Sequence, residues 1–368
     1  MSKMRFIRIC ALAAPAIVGL SAAAPAHAFT YGTAYMTSWS GFHVSALRRD
    51  AGEAALLDDK AATICFDTVR EAFGRGAAED LAFGIYDLED VGDTNDRLKN
   101  RAAELGLGAA AQFPSTAGGY LAVAEGDLEL RVNTDSGSEL FVNRARFHKG
   151  EDAKSLLSEK EYVSRAFDHV ASAVPSARAQ QPYAYKLRRY MNASAQGEGA
   201  PSSVAAYQVA VAFNTTVDDL PIIGSGGKVA VHMSPDGEVI SHESSVRAVS
   251  SLRAVVRGAD LLPPDAAQRL VEKRIAERGV DLSNYTLTRS EFGYYRLGRS
   301  SVQTIDAPHY AFVYAPKEGT VGKKLLETIP AVVAEDVLAL VSADRAAEAA
   351  RKGSLKAGAA KEDSIRPE

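Results

Sequence analysis

The order of elements in the second half of the chain constrains the fold most, because it occurs twice. The first copy opens with "SEKEYVSRAFDHVASAV", in which Ser158 and Glu161 form a capping box that predicts a helix start. The strand patterns "YAYKLRRYM", "VAAYQVAVAF" and the hairpin "KVAVHM"/"EVISHESSV" follow. The second copy opens with "PPDAAQRLVEKRIAERGV", a helix started by Pro263 and Pro264 and ended by Gly279. "YTLTRSEFGYYRL", "HYAFVYAP" and "IPAVVAEDVLAL" then read as strands. Each copy would lay one helix across an antiparallel sheet, which predicts the α+β class.

The residues before these copies have a different pattern. Helical periodicity covers residues 54–74 and "DTNDRLKNRAAELGLG", with Thr94 or Asn95 as the N-cap of the second helix. Residues 119–147 alternate over short runs that are typical of β-hairpins. We therefore predict a signal peptide over 1–28, an N-terminal mainly helical region over 29–115, a first α+β unit over 116–250, a second over 251–340, and a polar tail over 341–368 that begins as a short helix.

The first 28 residues have the layout of a secretory signal peptide. A basic start is followed by the apolar run "ICALAAPAIVGLSAAAP" and by "AHA", which is typical of a cleavage site after Ala28. Two prolines make the run a poor membrane anchor. The sequence thus predicts a secreted or periplasmic protein without a stable membrane span after cleavage.

The charge balance argues against a nucleic-acid partner. The chain carries 42 basic and 46 acidic residues and has a formal net charge of −4, and loss of the leader would make it more negative. A nucleic-acid-binding surface is basic, and the sequence supplies no such surface.

The stretch "DLPIIGSGGKVAVHMSPDGEVISH" contains glycines ahead of a lysine, as a phosphate-binding loop does. A phosphate-binding loop needs a hydroxyl residue after the lysine and a glycine six residues before the lysine, but these positions hold Val229 and Ile222. "KVAVHM" also alternates as a strand does. The glycines therefore predict turns, and Lys228 is expected to start a strand.

The same stretch predicts a hairpin that closes at "SPDG". With Pro235 and Asp236 as the turn centre, Val231 is expected to lie near Ile240 and Val229 near His242. Gly237 can take the left-handed conformation that such a turn requires.

This stretch resembles a segment of the propeptides of thermolysin and fungalysin metalloproteases, and the helix and strands after it are similar to a PepSY domain. The resemblance covers about residues 155–340. The matching residues are Leu220, Pro221, Ile222, Gly224, Gly227, Val229, Val231, Asp236, Gly237 and Val239.

The resemblance implies a binding module that acts on a secreted hydrolase as an inhibitor or a folding chaperone. The chain departs from the protease family itself because it lacks "HExxH", the two zinc-binding histidines with their glutamate base. A protease that it governs would have to be a separate chain.

The sequence predicts no catalytic, cofactor-binding or metal-binding residue set. His232 and His242 are the weak candidates for a metal site, with carboxylate help from Glu243 or Asp236. Cys65 lies on the apolar stripe of its helix and is interpreted as a small buried residue rather than a nucleophile. A group of acidic residues suggests calcium, but the spacing favours a solvated loop; they are Asp87, Glu89, Asp90, Asp93 and Asp96.

The aromatic segment "FTYGTAYMTSWSGFHVS" offers a candidate contact surface at Tyr31, Tyr35 and Trp39, although alternating aromatics also suit a strand packed on the core. Together these features favour a secreted, non-enzymatic binding protein whose partner is another secreted protein, such as a protease. Two alternatives stay open. The first alternative is a secreted hydrolase whose active site is assembled from scattered Asp, Glu, His and Tyr residues, and the second is a structural component of the envelope.

Overall fold

The computed structural model describes residues 42–43, 61–92, 94–108, 112–116, 119–147, 156–174, 182–194, 203–218 and 220–363. The described helices are α1 (Ala61–Gly74), α2 (Thr94–Glu104), α3 (Glu159–Ala173), α4 (Pro264–Glu277) and α5 (Glu335–Asp363). The strands are β1 (Phe42–His43), β2 (Ala82–Leu88), β3 (Gln112–Thr116), β4 (Tyr120–Glu125), β5 (Leu128–Asn133), β6 (Glu139–Asn143), β7 (Pro182–Ser194), β8 (Ser203–Val217), β9 (Leu220–Gly224), β10 (Lys228–Met233), β11 (Val239–Ser244), β12 (Val249–Arg257), β13 (Tyr285–Arg296), β14 (Ile305–Asp306), β15 (Pro308–Pro316) and β16 (Leu325–Pro330). This mixture of helices and large sheets is compatible with the predicted α+β class.

The strands form two sheets. In the larger one, eleven strands follow the order β16-β15-β13-β9-β8-β10-β11-β6-β5-β4-β3, β7 pairs with β8, and β1 pairs with β7. Among the strand pairs of the described residues, β9 and β13 alone run parallel. The smaller sheet has the order β12-β2-β14. Since β2 is its central strand, the described part of residues 29–115 contributes strand as well as helix.

Local sequence signals place two helix boundaries correctly. The Ser158 side chain accepts a hydrogen bond from the Glu161 amide, and the Glu161 carboxylate accepts one from the Ser158 amide, so the predicted capping box starts α3. Pro264 is the first residue of α4, and Gly279 has a φ of +77° just after its end.

The "GSGG" stretch connects two strands, as predicted. Gly224 ends β9 and Gly227 precedes β10 with a φ of +64°, a conformation that only glycine adopts readily. Lys228 is the first residue of β10. Its surroundings are therefore those of a β-turn and not of a phosphate-binding helix N-terminus.

The register of the β10–β11 hairpin differs by two residues from the predicted one. Val231 lies opposite His242, and Val229 lies opposite Ser244. The turn is closed by Ser234, whose amide donates to the Glu238 carbonyl at 2.8 Å. The predicted register would place Ser234 opposite Gly237, so this closing pair shifts the pairing by one residue. A β-bulge between His232 and Met233 adds the second residue of the shift.

Three clusters of buried apolar side chains lie between helices and strands. Tyr162 and Val170 of α3 pack on the strands around β8 and β10. Leu98 of α2 packs on β4, β5 and β6. The largest cluster joins α1 and α4 to β2, β13 and β15, where Phe66 meets Tyr310 edge to face. Each helix thus covers one part of the sheets, as expected of the α+β class.

The C-terminal region differs from its prediction. The segment "IPAVVAEDVLAL" is the end of a strand followed by a helix, because β16 ends at Pro330 and α5 begins at Glu335. This helix has 29 residues, and its middle is held in place by polar contacts. The Glu348 carboxylate accepts from the Val302 amide at 2.9 Å, and Arg351 donates to the Ser300 carbonyl and binds Asp135. The predicted polar tail over 341–368 is therefore docked helix up to this point. No helix in the described ranges is long and apolar enough to cross a membrane.

Candidate functional site

His242, one of the two weak metal candidates, lies on the inner face of β11. Its side chain is fully buried, because it stands opposite Val231 and faces α3. The ring stacks on Phe141 of β6, with 5.4 Å between ring centroids. An imidazole in such a place needs hydrogen-bond partners for both nitrogens.

Two side chains from other elements supply these partners. His242 Nε2 lies 3.0 Å from the Glu139 carboxylate of β6, and His242 Nδ1 lies 2.9 Å from Nε2 of His169 on α3. A carboxylate only accepts, so His242 donates from Nε2 and accepts at Nδ1, which makes His169 the donor. The result is a carboxylate–imidazole–imidazole chain that ends at the half-buried His169.

Arg101 of α2 completes the network from the other side. Its Nε and Nη2 donate to both oxygens of Glu139 at 2.9 and 2.8 Å, and Nη2 also donates to the Ala173 carbonyl at the end of α3 at 2.6 Å. Arg101 also binds Glu104. This network of Arg101, Glu139, His242 and His169, called the imidazole relay below, joins two helices and two strands.

The relay perturbs the acidities of its members. Burial alone would raise the pKa of Glu139, but hydrogen bonds from His242 and Arg101 lower it to about 2. Burial, followed by the neighbouring His242, lowers the pKa of His169 to about 4, against the opposing effect of the Glu139 charge. At neutral pH the chain therefore holds an ionised carboxylate and a neutral His169.

His232 does not join His242. The two residues are on opposite faces of the β10–β11 pair, because His232 neighbours Val231 along β10 and side chains alternate. His232 Nδ1 lies 2.8 Å from the Gln208 amide nitrogen, and burial lowers the pKa of His232. Within the described ranges, no group of three or more His, Cys, Asp or Glu is placed to hold a metal ion.

The remaining sequence candidates lie apart from the relay. Asp87 is in β2 and pairs with Arg253 at 2.7 Å, while Asp96 lies 3.6 Å from Lys99. Cys65 is buried in the cluster under α1, as predicted for a small core residue. Tyr31, Tyr35 and Trp39 lie outside the described residues.

The outer edge of β16 is a second feature that sequence reasoning did not single out. In the described part of the chain, β16 ends the larger sheet and pairs with β15 alone, in unbroken register from Leu325 to Pro330. The Ala331 amide donates to the Pro308 carbonyl at 2.9 Å, which identifies a hydrogen-bonded pair. Hydrogen-bonded and non-hydrogen-bonded pairs alternate in antiparallel sheets. Leu326 and Thr328 are five and three residues before Ala331 and are therefore at non-hydrogen-bonded positions, where the backbone N–H and C=O point away from β15. Pro330 fits the same alternation, because a proline is tolerated where its nitrogen faces away from the neighbouring strand.

Exposed apolar and basic side chains surround this edge. Leu326 is 53% exposed, and Val321 and Val333 on either side of the strand are exposed as well. The loop before β16 carries two exposed lysines, Lys323 and Lys324. The edge therefore combines unpaired backbone groups, apolar side chains and positive charge.

Comparison with known proteins gives little further information. No protein-family model and no curated protein matches the sequence. A crystal structure of an uncharacterized protein from Eubacterium rectale ATCC 33656 is weakly similar to this chain, with a TM-score of 0.40 and 10% identity. The match covers 69% of this chain and 85% of that chain.

Proposed function

We propose that this chain is an exported, non-catalytic binding protein that holds an extended segment of another exported protein against the outer edge of β16. The regular edge of this strand carries the proposal, because an extended peptide can add to such an edge through main-chain hydrogen bonds. Six residues without a bulge match the length of a typical added strand.

The surroundings of β16 define the chemistry of the partner segment. Alternating apolar side chains on the partner would meet Leu326 and Val333, and acidic residues at one end would meet Lys323 and Lys324. Natural proteins protect exposed edges with bulges and charges, as the bulged β12 illustrates. β16 lacks a bulge and presents leucine at its edge, which favours a binding role.

The resemblance of residues 155–340 to protease propeptides and PepSY domains supports the same proposal. The partner would then be a secreted hydrolase, and the chain would act on it as an inhibitor or a folding chaperone. The division into two similar α+β units, each opened by α3 or α4, is part of this proposal.

The test is affinity capture from culture medium with the mature chain as the bait. Two matched variants at one position are compared with the wild type. Thr328→Pro removes the central outward N–H, while Thr328→Val keeps it and changes the side chain alone. We expect a partner that is retained by wild type and Thr328→Val and is lost with Thr328→Pro. Hydrogen exchange should show protection of the Leu326 and Thr328 amides in the complex. A partner bound equally by all three proteins, or none at all, would contradict the proposal.

The imidazole relay supports a second candidate function, a secreted hydrolase. A proton accepted by Nδ1 of His169 would be stabilised through His242 by the negative charge of Glu139, as a general base requires. Hydrolysis of a substrate panel that falls by a factor of about 100 or more in His169→Gln would favour this candidate. Unchanged hydrolysis in that variant would remove it.

A further inference from the structure

Arg345 and His309 have buried nitrogens without a partner beside the same aromatic ring. The guanidinium of Arg345, on α5, lies 5.8 Å from the ring centroid of Tyr295 in β13. The imidazole of His309, in β15, lies 5.5 Å from the same ring. Nη2 of Arg345 and Nε2 of His309 are both buried and have no hydrogen-bond partner. Two unmet groups beside one aromatic ring call for a common explanation.

His309 is an acceptor in this place. Its side chain is 97% buried, since it is 3% exposed, and Nδ1 lies 2.8 Å from the Ala307 carbonyl. A carbonyl only accepts, so the ring proton is on Nδ1 and the lone pair is on Nε2. Burial, followed by nearby Arg345, lowers the pKa of His309 to about 3, which keeps the ring neutral at physiological pH. A ligand atom at Nε2 must therefore donate a hydrogen bond.

Arg345 is a donor that lacks an acidic partner. Three other buried or half-buried arginines meet carboxylates: Arg101 meets Glu139, Arg296 meets Asp306, and Arg351 meets Glu348. Nη2 of Arg345 has no such contact.

The surroundings of Arg345 compensate its charge only in part. Burial lowers the pKa of its guanidinium; Tyr295 and Asp344 oppose this effect, and Arg274 of α4 adds to it. The Asp344 carboxylate makes its hydrogen bonds elsewhere, since it accepts from the Thr304 amide and hydroxyl at 2.8 and 2.6 Å. A partly buried cation without a directly bonded counter-charge is unfavourable, and an anion would relieve this.

We propose that Arg345, Tyr295 and His309 form a binding site for a small oxyanion that retains an acidic O–H, of which hydrogen phosphate is the simplest. Negatively charged oxygens of the ligand accept from Arg345, and its O–H donates to Nε2 of His309. Arg345 and Tyr295 are half-buried, whereas His309 is buried. A water molecule at either nitrogen would supply a hydrogen bond but no negative charge for the guanidinium.

The proposed geometry separates phosphate from sulfate. At pH 7.5 inorganic phosphate keeps a proton that can be donated to His309, whereas sulfate has none. The full chain is titrated with each anion at equal ionic strength by calorimetry. We expect saturable phosphate binding that is at least about tenfold tighter than sulfate binding, the effect of one charge-assisted hydrogen bond. The ¹⁵N signal of His309 Nε2 should shift with phosphate.

Two variants test the residues. Arg345→Gln, at a half-buried position, should weaken phosphate binding at least about tenfold, and the control Arg299→Gln, at an exposed ion pair, should leave it unchanged. His309→Phe fills the same space and should abolish the preference for phosphate over sulfate; if it fails to fold, the ¹⁵N shift in the wild type replaces it. No phosphate binding up to about 10 mM, equal binding of the two anions, or unchanged binding in Arg345→Gln would overturn the proposal.

Discussion

Acidification from pH 8 to pH 5 should destabilise the protein because burial lowers the pKa of several imidazoles, among them His169 and His309. The pKa of His169 is lowered from 6.5 to about 4, and that of His309 from 6.5 to about 3. Between these folded values and 6.5 the unfolded chain binds more protons than the folded one, so the free energy of unfolding falls as the pH falls. Each imidazole should lower it by about 2 kcal/mol at pH 5 relative to pH 8, or about 4 kcal/mol together.

Glu139 enters this balance at lower pH. Its pKa is lowered from 4.5 to about 2, so its stabilisation is complete above 4.5 and is lost as the pH falls toward 2. The window between pH 8 and pH 5 therefore reports on the histidines and not on this carboxylate.

Urea unfolding followed by far-ultraviolet circular dichroism at pH 8, 7, 6 and 5 measures the effect. His169→Gln removes one of these imidazoles and should reduce the loss of stability by about 2 kcal/mol, even if the variant is less stable at pH 8. The control Arg299→Gln, at an exposed ion pair, should keep the full loss. A free energy of unfolding that is constant between pH 8 and pH 5, or a full loss in His169→Gln, would refute the reasoning.

Two further variants test the energetic roles of the relay and of the capping box. Glu139→Gln should lower the free energy of unfolding at pH 7.5 by about 3–5 kcal/mol because Arg101 loses its buried carboxylate and keeps only the more exposed Glu104. The double variant Arg101→Met/Glu139→Leu should recover most of this loss. A loss under about 1 kcal/mol in Glu139→Gln would show that the pair is not structural. Ser158→Ala should cost about 1 kcal/mol in the same urea assay through loss of the α3 N-cap, and the isosteric Glu161→Gln should cost less because its amide oxygen can still accept; equal stability of Ser158→Ala and wild type would contradict the capping role.

Features that depend on neighbouring residues could be predicted from the sequence. The capping box of Ser158 and Glu161 fixes a helix start through contacts three residues apart, and Gly279 ends α4 through its own backbone conformation. The hairpin of β10 and β11 was also predictable, because its apolar alternation and its turn are both local. Its register was not, since the bulge at His232 depends on how the strand meets β8 and β11 together.

Features that depend on distant residues were missed. The relay brings residue 101 next to 139, and 169 next to 242, and no local pattern marks any of these four positions. From the sequence, His242 was considered only as a possible metal-binding partner of His232, but the two side chains lie on opposite faces of the β10–β11 pair. The C-terminal helix looked like a solvated tail because its composition is polar, yet Glu348 is buried by a contact with the Val302 amide. Sequence composition predicts burial poorly where polar groups satisfy one another.

The two proposed binding sites lie on neighbouring strands but depend on different elements, so they can fail independently. His309 of β15 lies directly opposite Pro330 of β16, which places the oxyanion site beside one end of the proposed peptide-binding edge. Thr328, which pairs with Ala311, contributes its outward backbone groups to the peptide-binding edge. The oxyanion contacts come instead from the side chains of His309 and of Arg345 on α5. Thr328→Pro should therefore abolish partner binding and leave phosphate binding intact, and Arg345→Gln should do the reverse. If either variant abolished both activities, the two sites would have to be parts of one larger surface, occupied by a single ligand whose acidic group lies next to its extended backbone.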